Sequence, residues 1–430
     1  MLLTSRRGPA GDTGRAARLR AAFGQYRWRL VTALAVSQTV SYGVLYYSFS
    51  VFLAPTARAL GASTTAVTGA MTVALLAGAA TMLPVGRYLD RHGGRLLMTG
   101  GGILATLLVL AWSQVHNLPE LYAVWLGIGA LSSAVQYEAA FPVVVSHFPA
   151  SQRSRALLGV TVVAGFASSV FLPTAGWLNQ AFGWRTAIVI LALVHAIVVI
   201  PLNACVRAPA AHAHPSHRAR ADQARRETAR RALRDRVFWL LGAGFIAQTG
   251  AVATISVLLV TVLRALGHPP AFAATVAGLL GVLSVTGRLA TTAAGRRIST
   301  RQVTVIVFTI QGAGALLLPV IGRATPGAIV CVLLFGLGFG VATIARPALL
   351  AEYFGTTAFA TLSALWAVPL TMMESCTPLA MAALWHAAGL GWALGSAAGL
   401  CVLGALALAR VRRVPGDVAT PAAHTGRADP

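Results

Sequence analysis

The chain is short of charge. Only 10% of its 430 residues are charged, and just 11 of those are acidic. An average soluble domain carries roughly 25% charged residues, so a soluble globular fold is excluded. Lysine is absent, and every basic residue is arginine, which reads as compositional bias rather than chemistry. There are 4 cysteines, Cys205, Cys331, Cys376 and Cys401. All lie in or beside apolar runs without C-x-x-C spacing, which excludes a disulfide framework and a zinc site. No glycine-rich phosphate loop is present, which argues against ATP hydrolysis. No nucleophile, base and metal ligands gather at one depth, so neither an enzyme nor a cofactor is expected. The histidines of the polar stretch AHAHPSH, His212, His214 and His217, read as solvated residues rather than metal ligands.

Apolar sequence is abundant. Hydrophobic residues make up 57% of the chain and the mean hydropathy is +0.72. Runs of about 18 or more apolar residues recur along nearly the whole length, the signature of membrane-spanning helices. They predict twelve spans, at 30–54, 65–86, 96–114, 120–146, 156–179, 185–206, 237–264, 271–294, 301–322, 325–351, 357–385 and 390–410. The expected fold is therefore an all-α polytopic membrane protein with two six-helix, pseudo-symmetric bundles. A tail at 1–29 precedes the first bundle (30–206). A polar, arginine-rich linker at 207–236 separates it from the second (237–410), and a tail at 411–430 follows. The run after residue 29 is too long for a signal-peptide core, so it reads as a retained span.

The net charge of +23 could suggest nucleic-acid binding, but its placement points to membrane topology. With a cytoplasmic N-terminus, the inside segments hold Arg6, Arg7, Arg15, Arg18, Arg20, Arg27 and Arg29, then Arg87, Arg91 and Arg95, then Arg153 and Arg155. The linker contributes Arg207 to Arg236, and Arg296, Arg297, Arg301, Arg410, Arg412 and Arg413 follow. Outside loops hold at most one arginine each: Arg58, Arg185, Arg264 and Arg323. This asymmetry fits a cell membrane protein with both termini in the cytoplasm. The inside loop at 352–356 is the exception, offering Glu352 and no arginine.

The halves echo one another. Trp28, Gln38-Thr39 and Arg58-Ala59-Leu60-Gly61 recur as Trp239, Gln248-Thr249 and Arg264-Ala265-Leu266-Gly267. Gly183-Trp184 at the sixth span is echoed by Gly391-Trp392 at the twelfth. Parallel repeats place a binding site near the midplane, where the halves face each other.

Between the second and third spans stands Gly86-Arg87-Tyr88-Leu89-Asp90-Arg91-His92-Gly93-Gly94-Arg95. This stretch resembles the signature loop of the major facilitator superfamily, with Gly86, Asp90, Arg91, Gly93 and Arg95 matching; Gly94 stands where a basic residue is common. Gly86 would let helices approach closely. Asp90, at the C-terminal end of its own helix, needs an outside partner such as a neighbouring helix N-terminus or an arginine. The resemblance implies a gating role for this loop, a central cavity lined by spans one, four, seven and ten, and alternating access. The second half has a degraded copy at 292–301 with Arg296 in place of the aspartate. Span five has Pro173-Thr174-Ala175-Gly176, without the glycine pair common in drug/proton antiporters of the family.

Ionisable residues at bilayer depth are costly and mark function. Glu138 lies in span four, about eight residues or ~12 Å of rise from its inner end. Arg346 occupies the equivalent span ten. They can face each other, Glu138 as a proton carrier and Arg346 as a bidentate anion ligand; the alternative is a static ion pair. Arg288 follows Gly287 in span eight and resembles the Gly-Arg of the monocarboxylate-porter and oxalate/formate branch, where that arginine contacts a carboxylate. The aspartate often found one turn earlier is Ser284 here, and the alternative is an arginine snorkelling to the headgroups. Glu374 in span eleven is a second proton site or a partner for Arg288. Gln38, Ser41, Tyr42 and Tyr46 form one stripe on span one, with Gln248 and Thr249 as counterparts. They read as cavity lining or as interhelical hydrogen-bonding groups. His195 reads as a packing residue.

These residues predict a monomeric secondary transporter of a small organic anion, with protons as coupling ion and no nucleic-acid partner. Proton-driven efflux of drugs or secondary metabolites, and a membrane sensor that transports nothing, are the alternatives.

Overall fold

A computed structural model describes residues 10–206, 215–294 and 297–412. Arg6, Arg7, His212, His214, Arg296 and the tail beyond 412 lie outside the described residues. Among the described residues there are only helices and their connections. In lipid each backbone N–H and C=O must find a partner within the protein, and a helix supplies it within its own segment.

Span one runs as a helix over Ala10–Tyr42, passes through a π-helical turn at Gly43–Tyr47, and continues over Ser48–Ala59. Span two is Thr64–His92 and span three Gly94–Trp112. Span four is broken into Leu118–Val135 and Tyr137–His147. Span five is Ala150–Ala164 followed by Ala167–Phe182, and span six is Trp184–Ala204. A linker helix, Pro215–Arg234, leads to span seven, Arg236–Ala265. Spans eight and nine are Pro270–Ala294 and Thr300–Ile321. Span ten is broken into Thr325–Gly336 and Val341–Phe354. Spans eleven and twelve are Phe359–Ala388 and Leu390–Ala409.

Of these, 11 are long and apolar enough to cross a membrane. Span one completes the twelve; Gln38, Ser41 and its three tyrosines dilute its hydropathy. The expected boundaries hold to within several residues, except that span one extends back to Ala10.

The repeat has a structural meaning. Both Arg-Ala-Leu-Gly stretches end a helix on a left-handed glycine, Gly61 at φ 59° and Gly267 at φ 99°, a conformation that favours glycine. The Gly-Trp echo is corrected. Gly183 caps span six at φ 77°, but its counterpart is Gly389 at φ 97°, and Gly391 lies within span twelve.

Three apolar cores organise the chain. One belongs to the first half alone, joining Val44, Phe52, Trp112, Trp125 and Ile188. A second belongs to the second half alone, joining Ile255, Leu259, Val276, Cys331 and Leu394. The third is shared, and gathers Leu30, Leu89, Val143 and Leu157 with Phe238, Leu349, Phe359 and Trp366. The halves are thus sealed together at the end bearing the Asp90 loop and keep separate cores at the other end. Span five shows the same division. Its first piece packs on span one and also reaches spans eight and ten of the opposite half, whereas its second piece packs on spans one and six of its own half.

Candidate functional site

The seal begins with Asp90. Its Oδ1 accepts the N–H of Ala360 at 3.0 Å and its Oδ2 accepts the N–H of Thr361 at 2.8 Å. These are first-turn N–H groups of span eleven, which have no partner within their own helix. The N-cap of that helix, Ala358, offers no side chain of its own, so Asp90 caps the helix from the opposite half. The connection at 352–356 lacks arginine, and beside it a carboxylate of the opposite half docks at a helix N-terminus, where an anion is favoured. Gly86 is needed one turn earlier, where a Cβ would lie 2.6 Å from the carbonyl oxygen of Ala360. Gly93 takes φ 75°. Gly94, the departure from the family pattern, is buried, and a Cβ there would collide with Val143.

The linker helix joins this seal. Arg91 pairs with Asp222 at 3.6 Å, Asp222 pairs with Arg225 at 3.0 Å, and Arg225 lies within electrostatic reach of Asp90. Arg95 is exposed. A cavity of about 470 Å³, lined by Asp90, Pro142, His147, Arg225, Thr356 and Phe359, lies beneath the seal and apart from the central charges.

Between the shared core and the separate cores lies the central cluster. Glu138 is within electrostatic reach of Arg346 and Glu374, and Arg346 of Glu138, Tyr42 and Glu374. Tyr46 neighbours Glu374, while Tyr47 and Tyr137 neighbour Arg288. Glu138, Arg346, Tyr42, Tyr47 and Tyr137 are half-buried; Glu374 and Tyr46 are exposed. These neighbours come from both halves, so the cluster lies where the halves face each other, in the chamber between them. Among the described residues no ion pair joins Glu138 or Glu374 to Arg346. The guanidinium therefore lies between two carboxylates without being bound by either.

Breaks in the helices set this geometry. Span four breaks at Gln136, which is extended (φ −93°, ψ −161°). Glu138 thereby falls in the first turn of the following half-helix, where the helix dipole favours an anion. The break also frees carbonyls at the end of the preceding piece. Gln38 answers one of them, its Nε2 donating to the Val135 carbonyl at 2.8 Å. Span ten repeats the device through an intermediary: Gln248 donates to Gln311 Oε1 at 3.2 Å, and Gln311 donates to the Phe335 carbonyl at 3.1 Å.

The chamber therefore does not include Gln38 and Gln248, expected there from the sequence. They are 0% and 1% exposed and brace the broken spans. Ser41 is likewise buried. The expected single stripe on span one splits: Gln38 and Ser41 are buried, Tyr42 and Tyr46 remain in the chamber, and the π turn that begins after Tyr42 adds Tyr47.

Arg288 does not snorkel. It is 9% exposed and its Nη1 donates to the Thr161 carbonyl, in the last turn of the first piece of span five, at 2.7 Å. Its Nε is buried without a partner. Gly340, in the break of span ten, lets span eight approach; a Cβ there would collide with the Ser284 carbonyl oxygen and lie 2.6 Å from that Nε. Glu374 is not a partner of Arg288 but a neighbour of Arg346 and Tyr46. His195 is a packing residue as expected, 0% exposed with Nδ1 2.8 Å from Thr106 Oγ1.

Reading the residues alone missed Tyr47, Tyr137, Thr161, Gln311 and the Asp222–Arg225 pair. Tyr137 stood next to Glu138 and Tyr47 next to Tyr46, so adjacency was a usable signal; the π turn left none.

Comparison with known proteins agrees with this architecture. A probable galactarate/D-glucarate transporter of Bacillus subtilis is 26% identical over 136 residues, 30% of this chain and 30% of its own length. Monocarboxylate transporter 1 of Bos taurus is 30% identical over 189 residues, 43% of this chain and 35% of its own length. The chain thus spans about a third of the length of the curated relatives it matches. Among solved structures, the E. coli fucose:proton symporter superposes with a TM-score of 0.70 at 15% identity, covering 88% of this chain and 97% of that one. The human organic anion transporter MFSD10 superposes with a TM-score of 0.64 at 14% identity, covering 89% and 99%. The family model of the Major Facilitator Superfamily matches residues 34–368, most of the chain. With twelve helices in two bundles and that match, the chain belongs to the major facilitator superfamily of multi-pass membrane transporters.

Proposed function

We propose that the chain carries a small organic anion bearing a carboxylate, by alternating access coupled to protons. The bundles at 30–206 and 237–410 are the moving bodies, and both termini face the cytoplasm of a cell membrane. The Asp90 seal then lies inside, and the separated end opens outward.

The observation that carries this reading is Arg346, half-buried between Glu138 of one half and Glu374 of the other and bound to neither. A guanidinium offers a planar fork that matches a carboxylate. An ionised Glu138 competes with an incoming anion for that fork, and a protonated one does not. Proton binding and substrate binding are coupled in sign as a result. Arg288 holds the halves together at chamber depth through Thr161, beside the tyrosines. The carboxylate cargo of the two curated relatives, by their names, supports the same class. Export of an amphipathic drug or secondary metabolite is the second reading, favoured by the exposed tyrosine surface.

The test is uptake of radiolabelled monocarboxylates into proteoliposomes under an imposed pH gradient. Glu138→Gln should abolish gradient-driven accumulation and leave substrate-for-substrate exchange. Persistence of both would make Glu138 structural. Absence of flux for every acid, with drug resistance conferred on cells, would favour export instead.

A further inference from the structure

We propose that the acid carried in the chamber has an aromatic body, with its carboxylate on the second half of the protein and its ring on the first. The inference rests on the carboxylate reading above and adds the other end of the molecule.

The chamber is chemically divided. Both guanidiniums, Arg288 and Arg346, come from the second half. Tyr42, Tyr46, Tyr47 and Tyr137 all come from the first. The π turn at Gly43–Tyr47 widens the helix by one residue per turn, which brings positions i, i+4 and i+5 onto one face. Ring contacts bear this out: Tyr42 to Tyr46 at 6.5 Å, Tyr46 to Tyr47 at 5.2 Å, and Tyr42 across to Tyr137 at 4.7 Å. Tyr137 is backed by Phe141, stacked at 4.7 Å and 17°. Such π turns recur at functional sites. A turn that exists to set three phenol rings on one face, opposite a fourth ring raised on a helix break, makes an aromatic wall.

The wall is open to a ligand. Tyr46 is 38% exposed. Among the described residues, no hydrogen bond within the protein involves the hydroxyls of Tyr46, Tyr47 or Tyr137. A lining meant only to be apolar would need no hydroxyl at this depth, where an unsatisfied one is costly. Phenol faces accept a planar ring in offset or edge-on geometry, and phenol hydroxyls tolerate a polar substituent on it.

The same geometry disfavours a polyhydroxylated acid. Hydroxyl groups are best read by amide side chains, which donate and accept together. The amides of spans one and seven, Gln38 and Gln248, are turned away to brace the broken helices. A short aliphatic acid would occupy the guanidinium side and leave the tyrosine faces wet.

Binding to the purified full-length protein, followed by uptake in proteoliposomes, tests this with benzoate, lactate and gluconate as probes. Benzoate is expected to bind about tenfold tighter than lactate, from offset contacts with two rings. Tyr46→Leu and Tyr137→Leu should each reduce that preference by roughly three- to tenfold, with benzoate affinity falling more than lactate affinity. Tyr46→Phe should keep the preference and report correct folding. If lactate or gluconate equals benzoate, or the leucine variants weaken all three acids alike, the aromatic inference is overturned and the carboxylate reading stands. If no acid of any kind binds, the carboxylate reading itself falls, and this one with it.

Discussion

Replacing Asp90 with asparagine isolates the charge at the seal while keeping its shape. The aspartate makes two hydrogen bonds, at 3.0 Å and 2.8 Å, to the first turn of span eleven. Hydrogen bonds to a charged group contribute about 1.5–3 kcal/mol each, and the helix N-terminus adds ~0.3–1 kcal/mol for an anion. Asparagine keeps one acceptor oxygen and loses the charge, so the sealed arrangement should weaken by about 1.5–3 kcal/mol, one strong bond's worth. At roughly 1.4 kcal/mol per tenfold, the balance between sealed and opened forms shifts by about ten- to hundredfold. Ala364 offers a reporter: it is 8% exposed, and its Cβ would lie 3.1 Å from a Cβ at Gly86. With the exposed Cys205 and Cys376 replaced by serine, an Ala364→Cys protein should react slowly with a membrane-impermeant maleimide. Asp90→Asn should accelerate that reaction by the same factor and lower kcat with little change in KM. Unchanged labelling, or a pure loss of affinity, would refute the assignment of Asp90 as the pin of the seal.

Three other substitutions separate roles. Gly86→Ala, whose methyl meets the Ala360 carbonyl at 2.6 Å, should push span two from span eleven and raise Ala364→Cys labelling without touching any charge. Gln38→Leu removes one buried hydrogen bond, so thermal unfolding in detergent should reflect a loss of about 1–3 kcal/mol with substrate KM unchanged; a KM effect with no stability effect would return Gln38 to the chamber. Gly340→Ala, whose methyl would meet both the Ser284 carbonyl and the Arg288 side chain, should push span eight from span ten and abolish transport, while Gly278→Ala, with open space at its Cβ, should be silent in the same uptake assay.

Much of this was legible in the sequence because lipid imposes it. Span count and bundle division follow from apolar run lengths and from arginine placement. The need of Asp90 for a foreign helix N-terminus follows from its position at a helix C-terminus. The convergence of Glu138 and Arg346 follows from the repeat. The direction in which Gln38 and Gln248 point was hidden. Periodicity places them on a face, but that face is set by breaks at Gln136 and at 337–340, and those breaks leave carbonyls that only a neighbouring amide can satisfy. Tyr47 was hidden for a related reason: a π turn alters the period on which helical faces are read. Arg288 carried both an outward and an inward reading, and the missing side chain at Gly340 that lets it turn inward belongs to another span.

The chamber's choice of cations has a consequence for how it can respond to acid. Among the described residues its positive charges are guanidiniums, which keep their proton at any pH a cell meets, and neither lysine nor histidine stands among them. Acidification therefore cannot add positive charge to this space; it can only erase negative charge, at Glu138 and Glu374. On the proposed reading, each proton taken up at Glu138 or Glu374 makes the chamber more attractive to an anion and never less, so proton binding and anion binding reinforce one another.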